Sequence, residues 1–364
     1  MRILQVLPHL SKGGAERVVV DLSNSLVKVG HEVTVLLAFQ VNPSLNQEYL
    51  DHKVKVQFVS PNGGSRILQY VKLPFWVVRH WKLLNTYDVI HCHLTFGLIF
   101  GFIISLFRTV VRKKNPKLVA TCHMVGVGGG LKVMNEKLSS FFNDFVLMAE
   151  DDAWRQFAEN KGRKNIVVIP NGVSIKTTGT GPAPRKDKPF WTVGTISRLK
   201  AERKPWLFLE TFSEILESMD GKVRFVIGGE GPERISLSAL SEKLGLNESL
   251  TMPGLVHDPL EILNNLDIYI TLNVEGITGI AGLEAVFAGI PVVGIQLSPT
   301  YRTGAVDWIW SDHDPKLVAQ KIVELLSDNK KLERVRQDQF LVANRDYSIN
   351  RMRDEYLKIY GVSQ

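Results

Sequence analysis

The sequence predicts an α/β protein of two domains, each built on a doubly wound parallel sheet. The chain has 364 residues, which suits two domains at roughly 150 residues each. Hydrophobic residues make up 45% of the chain and charged residues 22%, which is typical of globular proteins and excludes disordered or fibrous ones. Short β-branched runs alternate with amphipathic helical patterns along nearly the whole length. This alternation builds a parallel sheet that is covered by helices.

Seven apolar runs in the first half of the chain are predicted strands. Their near-continuous hydrophobicity is typical of parallel strands that are covered on both faces. After the first run, apolar residues recur at helical spacing between Val19 and Val29, and Gly30 stands where a helix would end. The seven runs are Ile3–Leu7, Val33–Leu37, Val54–Val59, Asp88–His93, Leu118–His123, Phe145–Met148 and Ile166–Ile169.

A stretch rich in Thr, Gly and Pro predicts a linker at 176–189. Strand–helix alternation then restarts, and the chain from Asp314 onward has a helical pattern. We therefore expect Rossmann-like domains at 1–175 and 190–345, and a final helix at 346–364 that packs back on the first domain. Ligands bind beyond the carboxyl ends of such strands, so the expected site is the cleft between the domains. The second set of runs is Trp191–Ile196, Val223–Ile227, Leu250–Met252, Ile268–Leu272 and Pro291–Ile295.

The net charge of +7 is concentrated in the first half. Residues 1–170 contain 21 Lys and Arg against 12 Asp and Glu, whereas the remainder contains 23 against 25. A basic half indicates a domain that faces an anionic partner. The chain has no Arg- and Lys-rich helix, zinc-finger spacing or RNA-binding aromatic pattern, so we expect no nucleic acid as that partner.

Cysteine usage and apolar runs predict a cytoplasmic protein. Only two cysteines occur, Cys92 and Cys122, so no disulfide framework is expected. The first strand-like run begins at Arg2, which leaves no room for a signal peptide. The longest apolar run, from Leu94 to Phe107, is about 14 residues, whereas roughly 20 are needed to span a bilayer.

The first half carries two candidate binding features at strand ends. Gly13 and Gly14 open a helix after the first strand, where exposed backbone N–H groups can hold an anion; a tight turn without a ligand is the alternative. His93 and His123 end neighbouring strands and are expected to line the cleft as hydrogen-bond donors to a ligand, neutral or protonated. A zinc site that adds the two cysteines is disfavoured, because alternate side chains of a strand point to opposite faces.

The second half carries cations and glycine-rich turns at strand ends. Arg198 and Lys204 follow the first strand of this half and predict an anion site, with a solvated charge run as the alternative. The GGEGP turn at 228–232 suits close approach of the backbone to a flat ring. In EGITGIAGLEA, which begins at Glu275, a glycine-rich loop starts a helix that contains Glu284. Helix-start N–H groups can hold a diphosphate and a carboxylate can accept from vicinal sugar hydroxyls, as a nucleotide-sugar site requires.

These motifs occur in an order in which the chain resembles the retaining glycosyltransferases of family 4, which adopt the GT-B fold. The resemblance spans nearly the whole chain. It rests on GGAER at 13–17, DVIHCH at 88–93, the T-x-H strand end at 121–123, IPNGV at 169–173, VGTISRLK at 193–200, GGEGP at 228–232, PGLV at 253–256 and EGITGIAGLEA at 275–285 followed by GIPVV at 289–293.

The resemblance implies roles for individual residues. Arg198 and Lys204 would act in catalysis by binding the donor diphosphate, and Glu284 would hold the nucleotide ribose. His123 would contact the transferred sugar near the reacting carbon, and His93 would lie on the acceptor side. The remaining donor contacts would be Gly13, Gly14, Val256, Thr278, Gly279, Ile280 and Ala281.

Glu275 would match the first glutamate of the family's E-x7-E motif, although the spacing to Glu284 here is E-x8-E. The resemblance also implies that no metal cofactor is needed. The one D-x-D pattern, Asp312 and Asp314, is instead predicted to start a helix, with Asp314 as the N-cap and Pro315 after it.

The implied activity is retaining transfer of a sugar from a nucleotide-diphosphate donor, a UDP- or GDP-sugar, to a glycan or lipid-linked acceptor in polysaccharide or glycolipid synthesis. A nucleotide-sugar epimerase of the same architecture and an inactive sugar-binding scaffold are the alternatives. Incubation with donor alone would reveal an epimerase, and donor binding without turnover would reveal a scaffold. Trp and basic residues at 71–84, with a second basic cluster at 108–117, predict peripheral binding to an anionic surface on the inner face of the cytoplasmic membrane.

Overall fold

The computed structural model describes residues 1–11, 13–40, 47–60, 66–111, 116–123, 130–148, 152–174, 189–273, 279–296, 309–312 and 314–362. The chain divides into two compact units. The first unit contains Met1–Val173 and Ser348–Gln364, and the second contains Ser174–Tyr347. Nearly all of the predicted linker at 176–189 lies outside the described residues.

Each unit is built on a parallel sheet, which confirms the predicted fold class. The first unit contains β1 Arg2–Leu7, β2 Glu32–Leu37, β3 Lys55–Phe58, β4 Val89–His93, β5 Lys117–Cys122, β6 Asp144–Leu147 and β7 Ile166–Val168, in the order β3-β2-β1-β4-β5-β6-β7. The second contains β8 Trp191–Ile196, β9 Val223–Gly228, β10 Leu250–Gly254, β11 Ile268–Asn273, β12 Val292–Gln296 and β13 Ile309–Asp312, in the order β10-β9-β8-β11-β12-β13.

Helices connect the strands and cover the sheets. They are α1 Gly14–Lys28, α2 Arg66–Arg79, α3 Trp81–Leu84, α4 Leu94–Val110, α5 Gly130–Leu138, α6 Asp152–Asn160, α7 Trp206–Ser218, α8 Arg234–Lys243, α9 Pro259–Leu263, α10 Ile280–Phe287, α11 Pro315–Ser327, α12 Asn329–Asp346 and α13 Ile349–Tyr360. α4 is the most apolar helix of the first unit and is 17 residues long. Among the helices in the described ranges, none is both long and apolar enough to cross a bilayer.

The order of strands reverses once in each sheet. In the first unit the chain runs outward from β1 to β2 and β3, then returns to the other side of β1 with β4. In the second unit it runs from β8 to β9 and β10, then returns beside β8 with β11. Such reversals are the topological switch points at which open α/β sheets bind ligands. The expected ligand-binding edges are therefore the carboxyl ends of β1 and β4 in the first unit and of β8 and β11 in the second.

The final helix, α13, belongs to the first unit. The Ile349 N–H donates to the Val173 carbonyl at 3.2 Å, and the Gly172 N–H lies 3.0 Å from the Met352 sulfur. α13 packs against α1 and buries Tyr356 and Tyr360. Two phenol groups are thereby placed inside a unit that is otherwise built from the beginning of the chain.

Candidate active site

The loop after β8 presents two cations at the switch point of the second unit. Arg198 and Lys204 are both exposed, while Leu199 between them is buried and anchors the loop. Lys204 ends a single helical turn at 201–203 and has a left-handed backbone, with φ 44° and ψ 51°. A residue with a Cβ adopts this conformation at a cost of about 1 kcal/mol or more. The fold therefore holds this lysine in a strained position at the predicted anion site.

The GGEGP turn has a different role from the predicted one. A Cβ on Gly229 would lie 1.9 Å from the Ser197 carbonyl oxygen, and a Cβ on Gly231 would lie 2.1 Å from that of Leu199. The Leu199 N–H donates to the Glu230 carbonyl at 3.0 Å. These glycines make room for the protein's own backbone rather than for a flat ring. The turn therefore supports the loop that carries Arg198.

Glu284 lies inside α10, close to the same switch point. Its side chain is nearly buried, and the residue is 7% exposed. Burial, with a smaller contribution from the Glu284 charge, raises the pKa of Tyr269 on β11 to about 12, although hydrogen bonds with Ile196 and Thr195 lower it in part. The Tyr269 hydroxyl donates to the Ile196 carbonyl at 3.0 Å and accepts from the Ile196 N–H at 3.2 Å. Tyr269 thus holds the end of β8 beside β11, within the electrostatic reach of Glu284.

The other predicted donor contacts surround this edge. Gly279 is the N-cap of α10 and is exposed, and Ile280 and Ala281 in the first turn are half-buried. Val256 follows β10 and lies against the end of β9, because a Cβ on Gly228 would be 2.7 Å from its Cγ2. Glu275 and Thr278 lie outside the described residues.

In the first unit, the two predicted histidines meet at the carboxyl edge of the sheet. His93 Nδ1 lies 2.9 Å from His123 Nε2, and His93 Nε2 lies 2.7 Å from Gln5 Oε1. His93 is 1% exposed, and both its ring nitrogens have partners within the protein. The His93 ring therefore contacts His123 and Gln5, and its predicted place on the acceptor side stays a prediction. His123 is half-buried and is the outer member of the chain.

Burial keeps these rings neutral. It lowers the pKa of His123 to about 3, and it lowers the pKa of His91 and His93 well below 6.5, with smaller contributions from the neighbouring imidazoles. The sequence left open whether His93 and His123 are neutral or protonated, and their lowered pKa values favour the neutral form. Such rings cannot attract a phosphate by charge, but they can hydrogen-bond to neutral hydroxyls.

A second buried chain of polar groups lies beside the first and was missed by sequence analysis. His91 Nδ1 lies 2.7 Å from the Tyr360 hydroxyl, and His91 Nε2 lies 2.7 Å from Thr121 Oγ1. Thr121 Oγ1 also contacts the Tyr356 hydroxyl at 2.8 Å. The only sequence signal is the spacing of the two tyrosines by four residues on the last helix, which puts them on one face.

The zinc alternative is not supported. Cys92 is buried, and burial strongly raises the pKa of its thiol, although a hydrogen bond with the Gly101 backbone lowers it in part. A zinc ligand is a thiolate, which this environment disfavours. Among the described residues, no group of three or more His, Cys, Asp or Glu side chains is placed to hold a metal ion.

The glycine pair at the start of α1 also has a packing role. A Cβ on Gly13 would lie 2.1 Å from Glu16 Oε2, so a side chain at position 13 would displace this carboxylate. Glu16 Oε1 accepts from Ser11 Oγ at 3.1 Å and lies 3.6 Å from His9 Nδ1. A carboxylate near the helix N-terminus is favourable by itself. Gly14 is exposed and keeps the predicted position at the switch point.

Comparison with known proteins identifies the family and the fold. Two family models match in chain order, Glycosyltransferase Family 4 at residues 12–177 and Glycosyl transferases group 1 at residues 182–339. The chain is 27% identical over 349 residues to a phosphatidyl-myo-inositol mannosyltransferase of Mycobacterium leprae, covering 92% of this chain and 90% of that protein.

A second relative comes from Campylobacter jejuni, the GalNAc-alpha-(1->4)-GalNAc-alpha-(1->3)-diNAcBac-PP-undecaprenol alpha-1,4-N-acetyl-D-galactosaminyltransferase. It is 24% identical, covering 99% of this chain and 98% of that protein. The crystal structure of Anabaena HepE in complex with UDP and glucose has the same fold, with a TM-score of 0.71 at 16% identity over 98% of each chain. The chain belongs to the family 4 glycosyltransferases and has the GT-B fold.

Proposed function

We propose that this glycosyltransferase moves a sugar from a nucleotide-diphosphate donor to a lipid-linked glycan or glycolipid acceptor, keeps the anomeric configuration and needs no metal ion. One observation carries the proposal. Arg198, Lys204 and the N-terminus of α10 all leave the second sheet at β8 and β11, the strands of its switch point. Two exposed cations and a helix N-terminus at one sheet edge suit a diphosphate.

The donor site stabilises the leaving group. As the bond between the sugar and the diphosphate breaks, negative charge develops on the departing oxygen. Arg198, Lys204 and the backbone N–H groups that start α10 offset that charge. Glu284 accepts hydrogen bonds from the ribose hydroxyls, and Val256 faces the base. The UDP in the Anabaena HepE complex supports a UDP-sugar, with a GDP-sugar as the other candidate.

The same cations take the place of a divalent metal. Asp314, the second carboxylate of the D-x-D pattern, caps α11, and its Oδ1 accepts from the Lys316 N–H at 2.9 Å. Its carboxylate is thus used by the fold. The proposed activity should therefore survive chelation of divalent metal ions by EDTA.

Retention follows from attack on the face that the leaving group occupies. The acceptor oxygen bonds to the anomeric carbon as the bond to the diphosphate oxygen breaks, and the leaving phosphate takes the proton of the acceptor hydroxyl. His123 and its partner His93 are neutral, and the innermost member of their chain is the neutral amide of Gln5. This set suits the hydroxyls of a sugar and supplies no carboxylate nucleophile.

The acceptor is lipid-linked, and the enzyme works as a peripheral protein on the cytoplasmic face of a membrane. The names of the two relatives support this, since one refers to phosphatidyl-myo-inositol and the other to PP-undecaprenol. The basic first unit is the side that faces such a surface.

The membrane contact is the outer face of α2. Val71, Phe75 and Val78 are exposed at spacings of four and three residues, so they form one apolar stripe, and Phe75 is 76% exposed. Lys72 and Arg79 on the same helix are also exposed. Apolar side chains flanked by cations suit the headgroup region of an anionic bilayer.

The sequence also assigned two tryptophans to this surface, but both pack against side chains of the first unit. Trp76 stacks on His80 with ring centroids 4.1 Å apart, and Trp81 packs edge-on against Phe107 at 4.8 Å. Phe75 is therefore the aromatic anchor of the proposed surface.

The second basic cluster is partly used within the fold. Arg108 donates to the Pro116 carbonyl at 2.9 Å. Lys117 pairs with Asp144 at 2.9 Å and donates to the Ile359 carbonyl. Arg112, Lys113 and Lys114 lie outside the described residues.

Donor binding and transfer test the central proposal. The protein is screened by thermal shift against UDP- and GDP-sugars, since a ligand that binds only the folded state raises its stability. The donor that binds is then incubated with phosphatidylinositol and with undecaprenyl-diphosphate glycans, and the anomeric configuration of the product is read by NMR. An inverted product, or conversion of the donor without an acceptor, would contradict the proposal.

Sedimentation with vesicles tests the membrane surface. Wild type should sediment with phosphatidylglycerol-containing vesicles at low salt and be released as salt rises. Phe75→Ser should weaken binding about ten- to hundredfold, because burying a Phe side chain contributes about 1.5–3 kcal/mol. Ile235→Ser is the matched control, since Ile235 is 83% exposed on the second unit. Equal binding of both variants would refute the assignment of α2.

A further inference from the structure

Gln5 was not predicted as a site residue, yet it lies at the switch point of the first sheet. It is fully buried on β1, the strand next to β4. β1 otherwise contributes apolar side chains to the core, so a buried amide on it requires a polar partner. That partner is His93, whose Nε2 lies 2.7 Å from Gln5 Oε1.

The Gln5 carbonyl oxygen sets the proton positions along the histidine chain. An amide oxygen only accepts, so the proton of neutral His93 resides on Nε2 and its Nδ1 is an acceptor. His93 Nδ1 lies 2.9 Å from His123 Nε2, so His123 Nε2 donates to it. Neutral His123 therefore carries its proton on Nε2 and has an unprotonated Nδ1.

His123 Nδ1 is the open end of this chain. The atom is buried, and no group in the described parts of the chain hydrogen-bonds to it. A buried acceptor without a partner is unfavourable by about 1–3 kcal/mol, so a ligand that donates a hydrogen bond to it is favoured. The chemical class that fits is a neutral hydroxyl. A phosphate that needs donors does not fit.

We propose that Gln5 and His93 are positioning residues that hold His123 in its Nε2–H tautomer, so that Nδ1 accepts a hydrogen bond from a hydroxyl of the transferred sugar. The inference deepens the proposed function and rests on it for the identity of the ligand. The tautomer itself is a property of the protein alone.

The neighbouring chain provides a matched control. Thr121 lies on β5 and bonds to His91 and Tyr356, but the structure gives it no hydrogen bond with Gln5, His93 or His123. Thr121→Val keeps the side-chain shape and removes one buried hydroxyl. It therefore removes none of the hydrogen bonds among Gln5, His93 and His123, although the two chains meet where the Gln5 side chain hydrogen-bonds to Tyr360.

The experiment measures the tautomer by ¹⁵N NMR of histidine side chains in the ligand-free protein. The His123 signals are identified by their absence from His123→Asn. In wild type, His123 should carry its proton on Nε2, and Gln5→Leu should convert it to a mixture of tautomers. Thr121→Val should leave the His123 signals unchanged. A wild-type proton on Nδ1 would overturn the inference, and this measurement stands even if Gln5→Leu fails to fold.

Turnover provides the second readout. Gln5→Leu should lower kcat/KM about tenfold through loss of one hydrogen bond to the sugar, while Thr121→Val should stay within about twofold of wild type. Equal loss in both variants would indicate a structural role and refute the positioning role. If no nucleotide sugar is turned over by wild type, the proposed function fails, whereas the tautomer measurement still tests Gln5 and His93.

Discussion

Replacing Lys204 by glycine should separate stability from activity. The left-handed backbone of Lys204 (φ 44°) costs a residue with a Cβ about 1 kcal/mol or more, and glycine adopts it freely. Glycine also gains about 0.5–1 kcal/mol of conformational freedom in the unfolded chain. The two effects nearly cancel, so the free energy of unfolding of K204G should stay within about 1 kcal/mol of wild type. kcat should fall on the order of 10²–10³, because the ammonium group is lost.

Lys204→Ala is the matched variant, because it removes the ammonium group and keeps the Cβ. Its kcat should fall as in K204G, and its urea midpoint should lie close to that of K204G, because the strain relief and the unfolded-state freedom that glycine brings nearly cancel. Lys200→Ala is the control on the same loop, since Lys200 is exposed and 3.5 Å from Glu202. It should change neither quantity. Normal turnover in K204G, or a free energy of unfolding for K204G that differs from wild type by much more than about 1 kcal/mol, would refute this reasoning.

Three further outcomes follow from the second unit and are each measured against wild type. Arg198→Ala should lower kcat on the order of 10²–10³ with an unchanged urea midpoint, and near-normal kcat would refute its role at the diphosphate. Gly229→Ala should destabilise the protein by about 2 kcal/mol or more and weaken donor binding, because its Cβ would meet the Ser197 carbonyl at 1.9 Å. Turnover should persist in EDTA, and loss of activity that Mn²⁺ or Mg²⁺ restores would contradict the metal-free mechanism.

The strands were predictable because buried parallel strands are continuous apolar runs. β1, for example, is buried along nearly its whole length, as the run from Ile3 to Leu7 predicts. β13 was missed for the opposite reason. It is four residues long and, among the described strands, pairs only with β12 at the edge of the sheet, so little of it has to be apolar.

Site residues at strand ends were also predictable, because parallel strands bring their carboxyl ends to one edge. Arg198 and His123 follow strand ends in the structure, as the sequence predicts, and their roles in the site stay predictions. The polar partners that hold the histidines were not predictable, because each comes from a distant part of the chain. Gln5 is 88 residues from His93, and Tyr360 is 269 residues from His91. No local spacing encodes such pairs.

Glycine-rich turns show a different limit of sequence reasoning. Gly229 and Gly231 indicate a close approach at the end of β9, and the structure contains one. The approaching group is the backbone of Ser197 and Leu199. A missing Cβ specifies that space is needed, but not whether a ligand or the chain itself fills it. The consequence for function is indirect, since the turn fixes the position of Arg198.

The neutral histidines of the first unit should make the protein sensitive to acid. Burial lowers the pKa of His91, His93 and His123, so the unfolded chain binds more protons than the folded one as the pH falls below 6.5. Their contribution to stability is complete above pH 6.5 and is lost on acidification. At pH 5 each costs about 2 kcal/mol, which for three is comparable to the whole stability of a typical domain.

His91→Gln isolates one of these groups. It should reduce the slope of unfolding free energy against pH, between pH 6 and pH 5, by about 1.4 kcal/mol per pH unit, because one fewer proton is taken up on unfolding. His52→Gln is the control, since the His52 side chain is 85% exposed and in contact with solvent before and after unfolding. Urea titrations at each pH provide the slopes. Equal slopes for wild type and His91→Gln would show that His91 is already protonated in the folded protein, and the neutral state assigned to this buried ring would then be wrong.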